Sequence, residues 1–253
     1  ALLVAGLTLF SGFGLGTLLM PVFAVFFPVE IAVAATAVVH LANNIFKIFL
    51  VGKKADWKVV FSFALPAAVA AVFGALTLSS LNKIPAIARY SLENHIFTIT
   101  PVKLIIGVLM IIFALFELIP RFEKLQFQRK YLPAGGLLSG FFGGLSGHQG
   151  ALRSAFLVKA GLTKEAFIGT GVISAVVVDV SRLIVYGLTF FTEDFMKLQE
   201  TNQTGIVLAA VLAAFAGSFA GSRLIKKIKM RSIQIMVGIM LLLLAIALAA
   251  GII

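Results

Sequence analysis

The chain has 253 residues, of which 60% are hydrophobic and only 12% are charged. One soluble core of this length could not bury so much apolar surface, so the composition indicates a polytopic membrane protein without a soluble domain. The formal net charge is +11, but the basic residues lie in short loops, where they orient the chain in the membrane rather than bind nucleic acid. Cysteine is absent, which excludes disulfides and thiolate metal sites.

Eight apolar stretches, each near the length of about 20 residues that crosses a bilayer, follow one another along the chain. They cover residues 1–27, 31–51, 59–81, 99–119, 134–158, 163–191, 205–222 and 233–253. The chain begins at Ala1 inside the first stretch, without an initiator methionine or a basic leader. We therefore expect no signal peptide. We expect instead that the N-terminus has been trimmed.

Loop charges predict the orientation of these stretches, because lysine and arginine favour the cytoplasmic side. The basic connections 52–58, 121–130 and 223–231 are expected inside, and the acidic connection 192–200 is expected outside. If all eight stretches crossed, connections 52–58 and 192–200 would lie on the same side. The sequence therefore predicts that two stretches, 1–27 and 134–158, do not cross.

Both of these stretches are interrupted by glycine, as Gly12-Phe13-Gly14-Leu15-Gly16 and as Gly143-Gly144-Leu145-Ser146-Gly147-His148-Gln149-Gly150. Non-helical backbone is tolerated at membrane depth only where protein or water satisfies it, so each stretch is predicted to form a re-entrant hairpin. Each half then has one hairpin and three crossings, an odd number, and the halves have opposite orientation. The predicted fold class is an all-α polytopic membrane protein with two inverted repeats, 1–120 and 134–253, joined by a cytoplasmic linker, 121–133.

The two halves align at several glycines and polar residues, with one residue inserted after the threonine pair. The matched pairs are Gly16 with Gly150, Thr36 with Thr170, Asn44 with Asp179, Lys47 with Arg182 and Gly52 with Gly187. Paired glycine-broken segments at corresponding points of two halves indicate a transporter site near the bilayer midplane.

A polar stripe follows the first hairpin on one face of an otherwise apolar helix. Its members recur at steps of three and four residues: Thr36, His40, Asn43, Asn44 and Lys47. Ionisable groups at membrane depth usually serve function. The alternative is structural, because asparagine and threonine also bridge helices, and Lys47 could extend toward the cytoplasm.

The second half carries Asp179 and Arg182 one turn apart, with Tyr186 beyond them. Either Arg182 is an anion ligand restrained by Asp179, or the two form a self-neutralising pair. Thr170 and Ser174 lie on another face at ideal helical pitch, so a bend would be needed to bring them to the charged pair.

The second hairpin is unusually polar for a membrane segment, with Ser146, His148, Gln149, Arg153 and Ser154. Freed amides at the start of a half-helix direct positive partial charge toward the midplane, where an anion can bind. Arg153 either binds the anion or extends toward Lys159. His148 either exchanges a proton or caps backbone carbonyls.

Substrate binding is therefore predicted at two glycine tips and the polar helix faces beside them. The residues are Gly14, Gly16, Thr36, His40, Asn43, Asn44, Lys47, Gly147, His148, Gln149, Arg153, Thr170, Asp179 and Arg182.

Gly144-Leu145-Ser146-Gly147 also matches the G-x-S-G pattern of rhomboid proteases, but the chain has no histidine on a later helix to activate Ser146. Without Walker, dinucleotide or H-E-x-x-H motifs, no enzyme activity, cofactor or metal is expected.

The chain resembles the TauE/SafE sulfite exporter family, also called the toluene sulfonate uptake permeases, over nearly its whole length. The first half carries this resemblance in the glycine motif, Pro21, Pro28, Ala34-Ala35-Thr36 and Gly52-Lys53-Lys54-Ala55-Asp56-Trp57, and the second in Gly140, Gly144, Gly147, Gly150, Gly169 and Thr170. The resemblance implies transport of small sulfur-containing or carboxylated anions, such as sulfite or a sulfonate, across the cytoplasmic membrane without ATP. Where the family's second motif continues with glycines and a proline, this chain has His148-Gln149-Gly150-Ala151-Leu152-Arg153, which implies a different ligand or coupling ion.

These features predict a secondary transporter in the bacterial cytoplasmic membrane, in which two halves rock about a midplane anion site. His40 or His148 is a candidate for proton coupling. The expected partners are the anion, protons and the lipid bilayer. A non-transporting membrane scaffold or partner subunit is the alternative, and the oligomeric state stays open.

Overall fold

The computed structural model describes residues 15–92, 95–123, 125–191, 204–224 and 230–253. Gly14 and the first arm of the predicted first hairpin lie outside these residues. The acidic connection 192–203 and the lysines Lys124, Lys226, Lys227 and Lys229 lie outside them as well.

Helices make up most of the described chain. They are α1 (Leu15–Ala24), α2 (Val29–Val51), α3 (Trp57–Asn82), α4 (Pro101–Leu118), α5 (Pro120–Glu123), α6 (Leu132–Ser146), α7 (Gly150–Leu157), α8 (Lys164–Tyr186), α9 (Thr204–Leu224) and α10 (Met230–Ala249). Short 3-10 turns occupy Gly52–Lys54 and Arg129–Tyr131, and a π-helical turn follows α8 at Gly187–Phe191. Strands β1 (Ala88–Leu92) and β2 (His95–Ile99) separate α3 from α4.

Four of the described helices are long and apolar enough to cross a membrane: Val29–Phe49, Trp57–Asn82, Pro101–Leu118 and Lys164–Thr189. They coincide with the predicted stretches 31–51, 59–81, 99–119 and 163–191. Shorter apolar helices, Gly205–Phe219 and Gln234–Ala249, fall in the last two predicted stretches. The prediction of a helical, multi-pass membrane protein is confirmed.

Polar side chains mark where the spanning helices begin. Asp56 caps α3 by accepting a hydrogen bond from the Val59 amide at 3.1 Å, and Thr100 caps α4 in the same way. Thr163 accepts from the Ala166 amide at 3.2 Å at the start of α8. Each cap satisfies an amide that has no partner within its helix, so the position at which the helix begins is set by the local sequence.

A β-hairpin, which the sequence analysis left unassigned, joins α3 to α4. Its strands are antiparallel, with Tyr90 opposite Phe97 and their rings stacked at 5.3 Å. The Tyr90 hydroxyl donates to the Ala250 carbonyl at 2.7 Å, just after α10. This contact fastens the end of the chain to the loop between the third and fourth stretches.

Helices α3 and α6 pack with their backbones in contact, because α6 presents glycine once per turn to α3. A Cβ atom at any of these positions would overlap the α3 backbone: Gly136 against Phe63, Gly140 against Ala67, and Gly144 against Ala71. Small residues at four-residue spacing permit this close approach between membrane helices. Gly140 and Gly144, which belong to the family resemblance in the second half, therefore serve helix packing.

Helices α6 and α7 form a helical hairpin, and the chain turns between them at Gly147, whose φ is +82°. Only glycine adopts this left-handed conformation without strain. At the opposite end of the hairpin, the Phe127 amide donates to the Ala155 carbonyl at 3.1 Å, and the Phe127 and Phe156 rings stack at 4.2 Å. The chain entering α6 thus lies beside the end of α7.

Helix α8 lies at the centre of the bundle, in contact with α2, α3, α6 and α7. Helix α2 also packs against α1 and α9, and α4 packs against α10. This arrangement brings the polar faces of α2 and α8 together with the turn of the α6–α7 hairpin.

Candidate functional site

One buried carboxylate joins three parts of the fold. Asp179 of α8 is fully buried, and its Oδ1 atom accepts hydrogen bonds from Arg182 Nη2 at 2.7 Å and Nε at 3.1 Å. The same oxygen accepts from Gln149 Nε2, in the α6–α7 turn, at 3.1 Å. Asp179 Oδ2 lies 2.6 Å from Nδ1 of His40 on α2. We call these four residues the Asp179 network.

The hydrogen bonds define which nitrogen of His40 carries the proton. A carboxylate oxygen can only accept, so the proton sits on Nδ1, which faces Asp179. Asn44 Nδ2 lies 3.1 Å from Nδ1 and 3.3 Å from Nε2, so this amide faces both ring nitrogens, and only the unprotonated Nε2 can accept its hydrogen bond.

Arg182 is committed to protein partners. Besides Asp179, its Nη1 atom donates to the Gly143 carbonyl at 3.1 Å. The Tyr186 hydroxyl donates to the next carbonyl, that of Gly144. Both carbonyls belong to the last turn of α6, where cations and hydrogen-bond donors interact favourably with the carbonyl end of the helix. Arg182 therefore fastens α8 to α6.

Two more cations are buried beside this network. Arg153 of α7 is 6% exposed, and its Nη1 atom donates to Gln149 Oε1 at 3.1 Å. Its Nε atom passes Gly171 of α8, where an added Cβ would lie 3.7 Å away. Lys47 of α2 is also 6% exposed.

Asn43 supplies an acceptor for Lys47. We assign its amide so that the nitrogen donates to Ser218 Oγ of α9 at 2.7 Å, because the oxygen then accepts from Lys47 Nζ at 3.3 Å. Asn43 thus connects α2 to α9, whereas Asn44 faces His40. Ser218 was not predicted, since a single serine among small residues in an apolar helix has no distinguishing signal.

The start of α1 reaches the turn of the second hairpin. A Cβ added at Gly16 would lie 3.3 Å from the Gly147 carbonyl oxygen and 3.6 Å from His40 Cδ2. A Cβ at Gly147 would lie 3.1 Å from Arg182 Nη1. Gly16 of the first predicted glycine tip and Gly147 of the second therefore both lie next to the Asp179 network.

His148 lies in the same turn but faces α4. Its ring stacks on Phe113 at 5.2 Å, and Nδ1 lies 3.1 Å from the Ser146 carbonyl oxygen. Since that carbonyl can only accept, Nδ1 carries the proton and is unable to act as a base toward the nearby Ser146 hydroxyl. The hydroxyl itself donates to the Phe142 carbonyl at 3.1 Å. Ser146 Oγ also lies 3.1 Å from Nδ1 of His148, which in this assignment faces it as a donor.

The threonines and Ser174 make other contacts. Thr170 Oγ1 accepts from the Asp56 amide at 3.0 Å, which holds the turn before α3 against α8. Ser174 Oγ donates to the Thr170 carbonyl within α8 at 2.8 Å. Thr36 is fully buried, and its hydroxyl has no hydrogen-bond partner among the residues that the structure describes. The sequence placed Asp56 in a cytoplasmic loop and in the motif of the family resemblance, and its contact with Thr170 was not predicted.

Metal ligation finds no support in the described part of the chain, where no three histidine or acidic side chains come close enough to hold an ion. What the described residues show is a multi-pass helical protein with charged and amide side chains buried at its centre.

Comparison with known families identifies the class to which the protein belongs. The sequence profile of the family described as sulfite exporter TauE/SafE matches residues 1–248. The chain belongs to this family, as the sequence motifs predicted. This is a family of membrane transporters, and its description names sulfite as the exported anion. Comparisons with curated proteins and with solved structures gave no match.

Proposed function

We propose that this protein is a secondary transporter that carries a small sulfur-containing or organic anion, such as sulfite, a sulfonate or a related carboxylate, across the bacterial cytoplasmic membrane. The observation that carries the proposal is the buried centre, where α2, α8, α1 and the α6–α7 turn meet around Asp179. Among the described residues, the cations Lys47, Arg153 and Arg182 are buried there with the Asp179 carboxylate. Buried positive charge at membrane depth favours an anionic cargo.

Alternating access requires two units that move against each other, and we assign them to residues 1–120 and 134–253. Two helix contacts support this division, because α2 packs against α8 and α4 against α10. A two-fold axis between inverted repeats would exchange α2 with α8 and α4 with α10. Each of these two contacts would therefore lie on the axis and be mapped onto itself. The adjacency of Phe127 and Ala155, where the α6–α7 hairpin begins and ends, supports a re-entrant second hairpin.

In this proposal, proton coupling is assigned to His40. Its ring contacts the network carboxylate, whereas His148 is stacked on Phe113 and bonded within its own turn. A proton taken up by His40 would change the charge of the centre by one unit at the place where the anion binds.

The coupling experiment compares His40→Gln with His148→Gln in proteoliposomes. We expect His40→Gln to abolish the dependence of anion flux on an imposed pH gradient, and His148→Gln to preserve it. If the double variant responds to the gradient like the wild type, histidine-based coupling is wrong.

Transport is tested by binding first and flux second. Purified protein is heated with sulfite, sulfate, thiosulfate, sulfoacetate, short carboxylates and neutral solutes of similar size. A ligand that binds only the folded state stabilises it by about 2.7 kcal/mol at one hundred times its dissociation constant. We expect one or more anions to raise the melting temperature and to enter proteoliposomes that contain the protein. Absence of both effects for every anion would favour the scaffold alternative.

A further inference from the structure

Three buried side-chain atoms have no hydrogen-bond partner among the described residues, and one of them lies next to the Asp179 network. The three atoms are Thr36 Oγ1, His148 Nε2 and Gln234 Oε1. The His148 ring is stacked against α4, and Gln234 belongs to α10. Thr36 precedes His40 by four residues on α2, so its side chain lies one helical turn away on the same face. Of the three atoms, the Thr36 hydroxyl is therefore the one beside the centre.

Helical hydroxyl groups in this protein generally bond to their own helix, as serine and threonine side chains commonly do. Five of them donate to the carbonyl four residues back, at distances between 2.8 and 3.1 Å: Thr77, Ser80, Ser146, Ser174 and Ser181. Thr36 lies within a regular helix, with the Ala32 carbonyl in the corresponding place, and does not make this bond. Its hydroxyl is therefore open to a group that does not belong to α2.

The part of α2 around Thr36 is apolar. The other side chains from Ile31 to Val39 are isoleucine, valine and alanine, and Thr36 itself is 0% exposed. Burying a hydroxyl without a hydrogen bond is unfavourable, and valine has nearly the same shape without this cost. A threonine at this position therefore indicates a role for the hydroxyl that packing alone does not require.

Thr170 provides a comparison, because it aligns with Thr36 in the second half of the chain and is equally buried. Its Oγ1 atom accepts a hydrogen bond from the Asp56 amide at 3.0 Å, which holds the turn before α3 against α8. The hydroxyl of Thr170 thus stabilises the fold. The hydroxyl of Thr36 makes no such contact among the described residues.

We infer that the Thr36 hydroxyl donates a hydrogen bond to an oxygen atom of the transported anion, and that Thr36 determines the specificity of the site. This inference rests on the proposed function and narrows the ligand class to oxyanions. The negatively charged oxygens of sulfite, a sulfonate or a carboxylate accept hydrogen bonds, and a hydroxyl supplies the matching donor. A hydrogen bond to a charged acceptor is stronger than one between neutral groups.

Thr36 and His40 are close enough to hold the same ligand. Side chains four residues apart on one helix have Cβ atoms about 5–6 Å apart, a distance that one small oxyanion bridges. His40 in turn contacts Asp179 at 2.6 Å. An anion bound at Thr36 therefore lies beside the residue to which proton coupling is assigned.

The test is Thr36→Val, which removes the hydroxyl and keeps the shape of the side chain. Dissociation constants for sulfite, sulfate, thiosulfate, sulfoacetate and acetate are measured in detergent from ligand-dependent melting temperatures. For each anion that binds the wild type, we expect Thr36→Val to weaken binding by about tenfold to a hundredfold, the range for one hydrogen bond to a charged group. Thr36→Ser retains the hydroxyl and should retain most of the affinity.

Two matched threonine variants serve as controls. Thr77→Val makes the same change on α3, where the hydroxyl donates to the Phe73 carbonyl of its own helix, and should leave anion affinity unchanged. Thr170→Val should lower the melting temperature without ligand, because the Asp56 amide loses its acceptor. Without ligand, Thr36→Val should be at least as stable as the wild type, since it removes an unpartnered buried hydroxyl.

The outcomes separate this inference from the proposed function. If Thr36→Val binds the anions as tightly as the wild type, the role of Thr36 is wrong while anion transport stands. If unliganded Thr36→Val is destabilised as much as Thr170→Val, the hydroxyl has a structural role and the inference is also wrong. If none of the five anions binds the wild type, both proposals fail.

Discussion

Asp179→Asn tests the central claim that one carboxylate holds the buried centre together. The wild-type side chain is fully buried and receives two hydrogen bonds from Arg182, one from Gln149 and one from His40. An asparagine keeps the size of the side chain but removes the negative charge that balances Arg182. Breaking one partner of a buried ion pair costs about 3–5 kcal/mol, because the remaining charge stays buried and uncompensated.

For a chain of this length, each kcal/mol corresponds to about 2–4 °C, so the melting temperature should fall by about 6–20 °C. The assay is thermal unfolding of purified Asp179→Asn in detergent, beside Ser181→Ala as a control on the same helix. Ser181 Oγ donates to the Val177 carbonyl one turn back in the same helix, and its removal should change stability by less than about 0.5 kcal/mol.

The double variant Asp179→Asn with Arg182→Gln distinguishes lost charge balance from lost packing. Removing both charges should recover part of the stability lost in Asp179→Asn alone, because the unpaired arginine is gone. A loss below about 1 kcal/mol in the single variant, or strict additivity in the double variant, would refute the role assigned to this pair.

Three further substitutions test how the helices position the centre. Gly140→Ala should destabilise the protein by about 1–3 kcal/mol, because the new methyl group overlaps the Ala67 backbone. Gly187→Ala is the control and should be tolerated, since no described atom lies within 4 Å of its Cβ position. Thermal unfolding of the two variants compares these effects. Thr170→Val should cost about 1 kcal/mol by removing the acceptor for the Asp56 amide, and Thr170→Ser should cost less; a larger effect of serine would contradict this. Gly16→Ala should slow anion flux in proteoliposomes while changing the melting temperature little, since its Cβ would lie 3.3 Å from the Gly147 carbonyl oxygen in the hairpin turn. Unchanged flux would refute a moving contact between α1 and this turn.

The fold could be predicted largely from hydrophobic length. Four predicted stretches coincide with helices that can span a membrane, because about 20 consecutive apolar residues have few alternatives to a membrane helix. The helix starts at Asp56, Thr100 and Thr163 are likewise local, since each cap lies three residues before the amide it satisfies. The β-hairpin between α3 and α4 was missed because its strands are short and only partly apolar.

The candidate site could be predicted in part. Helical periodicity placed His40, Asn44 and Lys47 on one face of α2, and all three point into the protein interior or its edge. The one-turn spacing of Asp179 and Arg182 indicated their pairing. The partners that come from other elements, such as Ser218 for Asn43, could not be predicted, because they depend on how distant helices cross.

The sequence by itself determined the membrane class, the family and the set of polar residues at membrane depth, because these depend on composition, periodicity and the order of short motifs. Tertiary structure decided how the polar residues divide their roles. Arg182 is held by Asp179 and the end of α6, Thr170 holds the turn before α3, and Lys47 and Arg153 share the centre with amide partners. The physical reason is that a charge buried in a membrane protein takes its role from the groups within hydrogen-bond reach, and those groups lie far apart along the chain.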